Sequence, residues 1–469
     1  MVTMYGYALG VTAAATAAAT AYARRGQATK TTATAEFRRF QLSFLLVYYI
    51  CMTADWLQGP YVYALYASYG FSKHDIAVLF VGGFGASMVF GTFVGAAADR
   101  LGRRRLCLLY CILYILSCAT KHARDYWVLM LGRILGGVAT SLLFSSFESW
   151  MVCEHNARGH DAASLSETFS LMYFGNSLCA IMAGMVAEAA ADAVKLTPLS
   201  GIWHYGGYCS PFDLSALCLV IGFALISATW GENYGNTSKA ADLSNCSSLE
   251  KPLNSMKKDA RILLIGVIVS LFEGSMYIFV FNWTPSLSSK QTDTPPFGFI
   301  FAIFMVACMG GSSLFSILVG TMPAESMLRY VFIVAAMALA VPTLTPDPIL
   351  TLGGMCVFEA CVGMYWPAIG TVKSQESDAS SSVVPEETRA TIYNIFRVPL
   401  NAVVLAVLLN HMDVGTAFTI CAIMLVCCGV AQTMLFAKMS KATVDVSQKL
   451  MSSEESAGFI SSTGSDKDY

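Results

Sequence analysis

Gly95-Ala-Ala-Ala-Asp99-Arg100-Leu-Gly102-Arg103-Arg104 stands between two apolar runs, residues 76–98 and 105–120. Its last six positions hold one acid and three arginines. Charge that dense does not enter hydrocarbon, whereas each flanking run is near the roughly 20 residues that cross a bilayer core. The stretch therefore reads as a tight loop between two spanning helices. Its glycines allow a sharp helix exit. Its Asp and Arg side chains can clamp neighbouring helix ends.

The same alternation extends in both directions. Apolar runs cover 42–66, 76–98, 105–120, 126–151, 165–190, 212–230, 261–284, 297–320, 328–345, 348–372, 389–410 and 415–437. They are long and do not alternate polar with apolar, so helices rather than barrel strands are expected. Across all 469 residues, 55% are hydrophobic and 13% charged, and the mean hydropathy is +0.57. Soluble chains carry about 25% charged residues. A soluble enzyme and a disordered scaffold are excluded on that ground. The formal charge of -2 gives no basic field for nucleic acid. Most of the fifteen cysteines lie inside apolar runs and pack as small hydrophobes.

A polar interval divides the series into six runs and six runs. The expected organisation is an N-terminal hydrophobic helix with a basic linker (1–35), a six-helix bundle (36–231), a cytosolic loop (232–260), a second six-helix bundle (261–440) and a disordered cytosolic tail (441–469). Placing residues 24–41 inside and alternating sides puts 22 of the 29 Lys and Arg in the cytosol and 5 outside, with Arg133 and Arg397 within spans. That bias obeys the positive-inside rule. The Ala/Thr-rich block 4–23 fits either a signal peptide or an uncleaved extra helix. No basic segment precedes it and Arg24-Arg25 follows it, which favours the extra helix.

The opening G-x-x-x-D-R-x-G-R-R string resembles the signature loop of the major facilitator superfamily, and it falls at the matching place after span two. Arg133-Ile-Leu-Gly136-Gly137 in span four resembles that superfamily's R-x-x-x-G pattern. Together with six plus six spans, these imply an all-α membrane protein of two six-helix bundles around a central cavity. A finer resemblance is to its molybdate-anion transporter family. It is carried by Ala54-Asp55-Trp56-Leu57-Gln58 with Pro60-Tyr61, Leu143-Phe144-Ser145 with Phe147-Glu148 and Trp150, and Trp230-Gly231-Glu232-Asn233-Tyr234. Leu271-Phe272-Glu273, Phe279-Val280-Phe281 with Trp283-Thr284-Pro285, and Phe396-Arg397-Val398-Pro399-Leu400 continue it. The resemblance implies import of the tetrahedral oxyanion molybdate. The Ala/Thr-rich leader and the long acidic tail depart from the family pattern.

Ionisable residues inside spans mark functional sites by default. Asp55 and Glu273 lie at similar depths in the equivalent spans one and seven, roughly 20 and 18 Å from the helix starts. Spans four and ten match Arg133-x-x-x-Gly137 with Glu359-x-x-x-Gly363, with opposite charge. An oxyanion needs fixed positive charge and several donors, which arginine supplies. Arg397 is the first expected substrate contact and Arg133 the second. Asn394 and Asn401 share the helical face of Arg397. Tyr61, Tyr365, Trp366, Ser145 and Ser146 are further candidates by span position alone. Asp55, Glu273 and Glu359 are read as proton-coupling or charge-balancing acids, since a buried unpaired carboxylate takes up a proton more readily. The alternative is inter-helix salt bridging, Asp55 with Arg397 or Glu359 with Arg133. Glu148 is expected to clamp Arg100 or Arg103 beside Asp99 at the cytosolic gate.

No metal-ligand spacing and no nucleophile–base set emerges, so no cofactor is expected and the protein reads as a transporter, not an enzyme. Its expected partners are the oxyanion and the lipid bilayer, without nucleic acid. Import points to the plasma membrane, with an internal membrane as the alternative. Rival readings are a carrier of sulfate or a sugar-like solute, and a non-transporting sensor with the same fold.

Overall fold

The computed structural model describes residues 2–25, 34–234, 256–257, 259–288, 294–374, 376–377, 381–382, 389–410 and 412–462. Helix α1 (Val2–Arg25) precedes the core. Span one is broken into α2 (Ala35–Gln58) and α3 (Val62–Ser68). The sequence reading had one unbroken run here. The break falls at Gly59-Pro60, where proline supplies no N–H to the ladder. Then come α4 (Lys73–Leu101), α5 (Arg103–Thr120), α6 (Tyr126–Ala157) and α7 (Ala162–Ala193). A short outer hairpin, β1 (Thr197–Ser200) and β2 (Trp203–Tyr205), leads to α8 (Ser210–Thr229).

The second half holds α9 (Ala260–Ser288), α10 (Phe297–Leu318), α11 (Ala324–Leu344) and α12 (Pro348–Ser374). After the two-residue strands β3 and β4 come α13 (Arg389–Leu409) and α14 (Val414–Ser462). Ten of the described spans are long and apolar enough to cross a membrane. Helices α5 and α13 complete the twelve; α5 opens on three arginines, and only Val398–Leu409 of α13 is strongly apolar. Helix α14 reaches past residue 441, where the expected tail begins. Its backbone is helical to Ser462, through a stretch with no proline and with Lys, Gln, Leu, Met and Glu, which propagate helix well.

Packing sorts the spans into two groups. Helix α2 packs on α7 and α8, α4 on α6, and α5 on α6 and α8. Helix α9 packs on α13 and α14, α10 on α12, and α11 on α12 and α14. Among the described residues two main seams join the groups, α7 with α10 and α4 with α13, and α3 also touches α9. Glycines permit the closest approaches. A Cβ on Gly137 of α6 would meet the Gly83 carbonyl of α4, and one on Gly363 of α12 would meet the Cys308 carbonyl of α10. These are equivalent places in the two halves, and small residues are what membrane helix packing uses there.

Helix α1 is a packed part of the molecule. It lies along α10, where Thr16 Oγ1 donates to the Val306 carbonyl at 3.1 Å and Thr20 Oγ1 meets Ser313 Oγ at 2.7 Å. Thr16 also fills the space beside Gly310. Contacts that advance together along both helices make the pair parallel, as the expected topology requires.

Candidate functional site

The two inward acids each receive a tyrosine. Tyr114 Oη on α5 donates to Asp55 Oδ1 on α2 at 2.5 Å. Tyr365 Oη on α12 donates to Glu273 Oε1 on α9 at 3.1 Å. Tyr365 is itself stacked on Phe272, with ring centroids 4.0 Å apart. Both acids are half-buried, so each combines a fixed donor with access to the interior. Tyr365 was expected among the site residues. Tyr114 was missed, although two phenols one turn apart in the apolar run of α5, Tyr110 and Tyr114, were the available signal.

Arg133 lies against α4. Its Nε donates to the Leu79 carbonyl at 3.3 Å, and its guanidinium sits 4.6 Å over the Phe80 ring. The Gly83 backbone leaves room for it; a Cβ there would fall 2.7 Å from Arg133 Nη2. Glu359 is buried on α12 near Cys308 and Cys356. Among the described ion pairs none joins Glu359 to Arg133; the two residues pack within opposite halves. The side chains of Arg397, Asn394 and Asp99 lie outside the described residues. Asn401 and Ser146 are buried, Ser145 is half-buried, and Trp366 is exposed beside Tyr365.

Tyr61 is drawn to a different place. Its hydroxyl donates to Glu188 Oε2 of α7 at 2.7 Å, and the same oxygen accepts the Gly298 N–H of α10 at 2.6 Å. Glu188 is 7% exposed. One carboxylate therefore ties span one to the first turn of span eight, across the seam between the halves. Gly184 and Gly298 let the two backbones meet beside it. Ring contacts continue the closure: Trp56 with Phe301 at 5.9 Å, Tyr63 and Phe80 each with Phe281 at 5.4 Å, and Phe84 with Tyr277 at 4.8 Å. Lys73 Nζ donates to the Met412 carbonyl at 2.8 Å. All of these contacts lie in the outer half of the spans. An acid one turn after Gly184 in an apolar run was the only mark of Glu188 in the sequence.

At the cytosolic side the 99–105 loop is held by Glu232. Its carboxylate accepts the backbone N–H groups of Arg104 at 2.9 Å and Arg105 at 3.3 Å. It thereby caps the N-terminus of α5, where the helix dipole favours an anion. Arg104 Nη2 adds a bond to the Ser227 carbonyl at 2.8 Å. Glu148, expected to join this loop, is exposed and acts on Tyr48 and Tyr173. The adjoining Trp230 stacks on Trp150 at 3.9 Å, and Trp150 Nε1 donates to the Gly231 carbonyl at 2.9 Å. The Trp-Gly-Glu-Asn-Tyr segment thus seals the end of span six onto spans three and four.

Comparison with known proteins follows from this geometry. The sequence pattern of a family described as sugar transporters with twelve transmembrane helices matches residues 4–365. A molybdate-anion transporter of Xenopus tropicalis is 37% identical over 403 residues, 82% of this chain and 83% of that protein. One of Danio rerio is 34% identical over 422 residues, 83% of each chain. Among solved structures, a D-xylose–proton symporter superposes with a TM-score of 0.64 at 15% identity, covering 84% of this chain and 96% of the other.

Proposed function

The chain belongs to the molybdate-anion transporter family of the major facilitator superfamily, and we propose that it imports molybdate by alternating access. It is a multi-pass membrane transporter and not an enzyme. The observation that carries the substrate reading is the name shared by relatives that align over four-fifths of the chain. The chemistry of the site agrees. Arg133 in span four offers guanidinium donors to an oxyanion, which a sugar would not require. Arg397 in span eleven is the first proposed contact, with Asn394 and Asn401 on its helical face, and Arg133 the second.

The outer closure by Tyr61, Glu188 and the aromatic contacts corresponds to a state that opens toward the cytosol. Glu188 then acts as an outer latch, and Glu232 holds the cytosolic loop. Asp55, Glu273 and Glu359 are proposed to carry protons with the anion, the tyrosine donors holding Asp55 and Glu273 between transfers. The plasma membrane is the proposed location.

The test is labelled molybdate uptake in cells lacking their own high-affinity system. Saturable uptake that survives excess sulfate and falls at least about tenfold in Arg397→Ala supports the reading, since a charged hydrogen bond is worth about 1.5–3 kcal/mol. A well-expressed wild type with no uptake overturns the substrate. Unchanged pH dependence in Glu273→Gln, Asp55→Asn and Glu359→Gln overturns the coupling.

A further inference from the structure

Beyond the midplane acids and the outer latch, one cluster of cationic donors is left unexplained. Lys121 ends α5 and is 1% exposed. Its backbone is tied down, since its carbonyl accepts the Tyr69 hydroxyl at 2.7 Å. Its side chain turns inward. The ammonium lies 5.8 Å from the centroid of the Tyr66 ring on α3. It also rests against Gly132 of α6, where an added Cβ would fall 3.1 Å from Nζ. Gly132 directly precedes Arg133.

Among the described residues neither Lys121 Nζ nor Tyr66 Oη has a hydrogen-bond partner, and both atoms are buried. Arg133 is the charged neighbour that acts on both residues. Among the described residues no carboxylate acts on Lys121. An ammonium removed from water without an acceptor is strongly disfavoured, and a second cation beside it makes matters worse. Such an arrangement keeps its charge when an anion occupies it; otherwise burial, and then Arg133, push the Lys121 value down to about 7 and the lysine gives up its proton more readily.

We propose that Lys121, Tyr66 and Arg133 form an anion-binding subsite at the outer end of the first bundle, which takes a fully ionised tetrahedral oxyanion. The donor set explains the selectivity. The ammonium and the guanidinium only donate, and the phenol can donate as well, so a ligand rich in acceptors and fully ionised satisfies most of them. Molybdate and sulfate meet that condition at neutral pH. A neutral sugar hydroxyl brings no charge to offset the two cations. The subsite deepens the transport reading and rests on it. It receives the anion on the outer side, one helical stretch before the Asp55 level of the path.

The test is equilibrium binding of labelled molybdate and labelled sulfate to the purified full-length protein, with chloride as competitor and thermal unfolding measured in parallel. Lys121→Met should weaken oxyanion binding at least about tenfold, the size expected for a lost charged hydrogen bond. Lys121→Arg should keep most of it. Tyr66→Phe removes only the hydroxyl and should weaken binding about threefold to tenfold. Without added anion, Lys121→Met should unfold at a higher temperature than wild type, because an unpaired buried charge is gone. A merely structural lysine would give the opposite sign. Unchanged affinity in Lys121→Met overturns the subsite, as does a wild type that binds neither oxyanion. Should Lys121→Met fail to fold, unchanged affinity in Tyr66→Phe overturns it instead. Lys121-dependent binding of sulfate in a protein that carries no molybdate leaves the subsite standing and removes molybdate as the substrate. Displacement by chloride at equal concentration overturns the preference for a tetrahedral ligand.

Discussion

The two halves repeat one backbone plan with different chemistry. Gly137 against Gly83 in the first half corresponds to Gly363 against Cys308 in the second. Asp125 caps α6 by accepting the N–H groups of Trp127 and Val128, and Asp347 caps α12 by accepting that of Ile349. Each half then places an acid in its first span and gives it a tyrosine. But Tyr114 comes from span three, whereas Tyr365 comes from span ten, the counterpart of span four. One turn before the matched glycine, the first half has Arg133 and the second has Glu359. Lys121 adds to the positive side. Packing glycines and caps hold the scaffold, so they are shared. The charges at these positions diverge. At the matched position the wall of the first half is therefore cationic and that of the second acidic.

The largest expected effect breaks this asymmetry directly. Arg133→Met keeps the length of the stem and removes the fork of donors. Molybdate uptake should fall about a hundredfold, the upper range for a buried charged hydrogen bond. Glu359→Gln, at the matched position, should leave uptake within about tenfold of wild type and change its dependence on external pH. Equal losses in the two variants would show that the charges act as one structural pair rather than as separate walls.

The outer latch gives the next effect. Both latch bonds end on one oxygen of Glu188. Glu188→Gln can keep a carbonyl oxygen at that place, and Glu188→Ala cannot. Uptake should fall about tenfold in Glu188→Ala and less than threefold in Glu188→Gln, from the loss of one or two buried hydrogen bonds. Spin labels at Ser68 and Thr416, on the outer ends of the two halves, should move apart in the alanine variant alone. A glutamine variant as open as the alanine one would assign the latch to charge rather than to acceptor geometry.

A finer comparison sets the two acid–tyrosine pairs against each other. The Tyr114–Asp55 bond is 2.5 Å and the Tyr365–Glu273 bond 3.1 Å. Short bonds to an ionised acceptor are the stronger ones. Tyr114→Phe should lower the unfolding temperature more than Tyr365→Phe, by a difference of about 1 °C for roughly 1 kcal/mol. Equal shifts would mean that the crossed helix origin of the tyrosines has no energetic consequence.

Much of the plan was legible in the chain. Twelve apolar runs, the 99–105 loop and the matched Arg133 and Glu359 follow from period, length and spacing. The helix break at Gly59-Pro60 was written there too, but hydropathy alone smooths over it. Tyr114, Glu188 and Lys121 could not be found in this way. Each stands at a place where its residue type is ordinary: a phenol in an apolar face, an acid near a helix end, a lysine opening an outer loop. Their roles come from partners 59 to 127 positions distant, or from the absence of one.

The smallest effect concerns the outer surface, where the halves also differ. The outer loop between spans three and four carries His122, and the matching loop in the second half carries only the cap Asp347. His122 Nε2 faces Asp213 Oδ1 at 2.8 Å and Nδ1 faces the His204 carbonyl at 2.9 Å. Both partners are acceptors, so both ring nitrogens donate and the ring is the cation. The hydrogen bond to Asp213, followed by that to Cys209, pushes the His122 value up to about 10. An unfolded histidine titrates near 6.5. The folded state thus holds the proton more tightly, and the contribution is complete below about pH 6.5. It declines as pH rises and is lost on passing about pH 10. The wild type should lose no more than about 1 °C of unfolding temperature across that window beyond what His122→Gln loses, a small figure because Asp213 is largely solvated. Parallel pH profiles for the two proteins would place the clasp outside the energetics of the first half and leave the hairpin β1–β2 to hold that face alone.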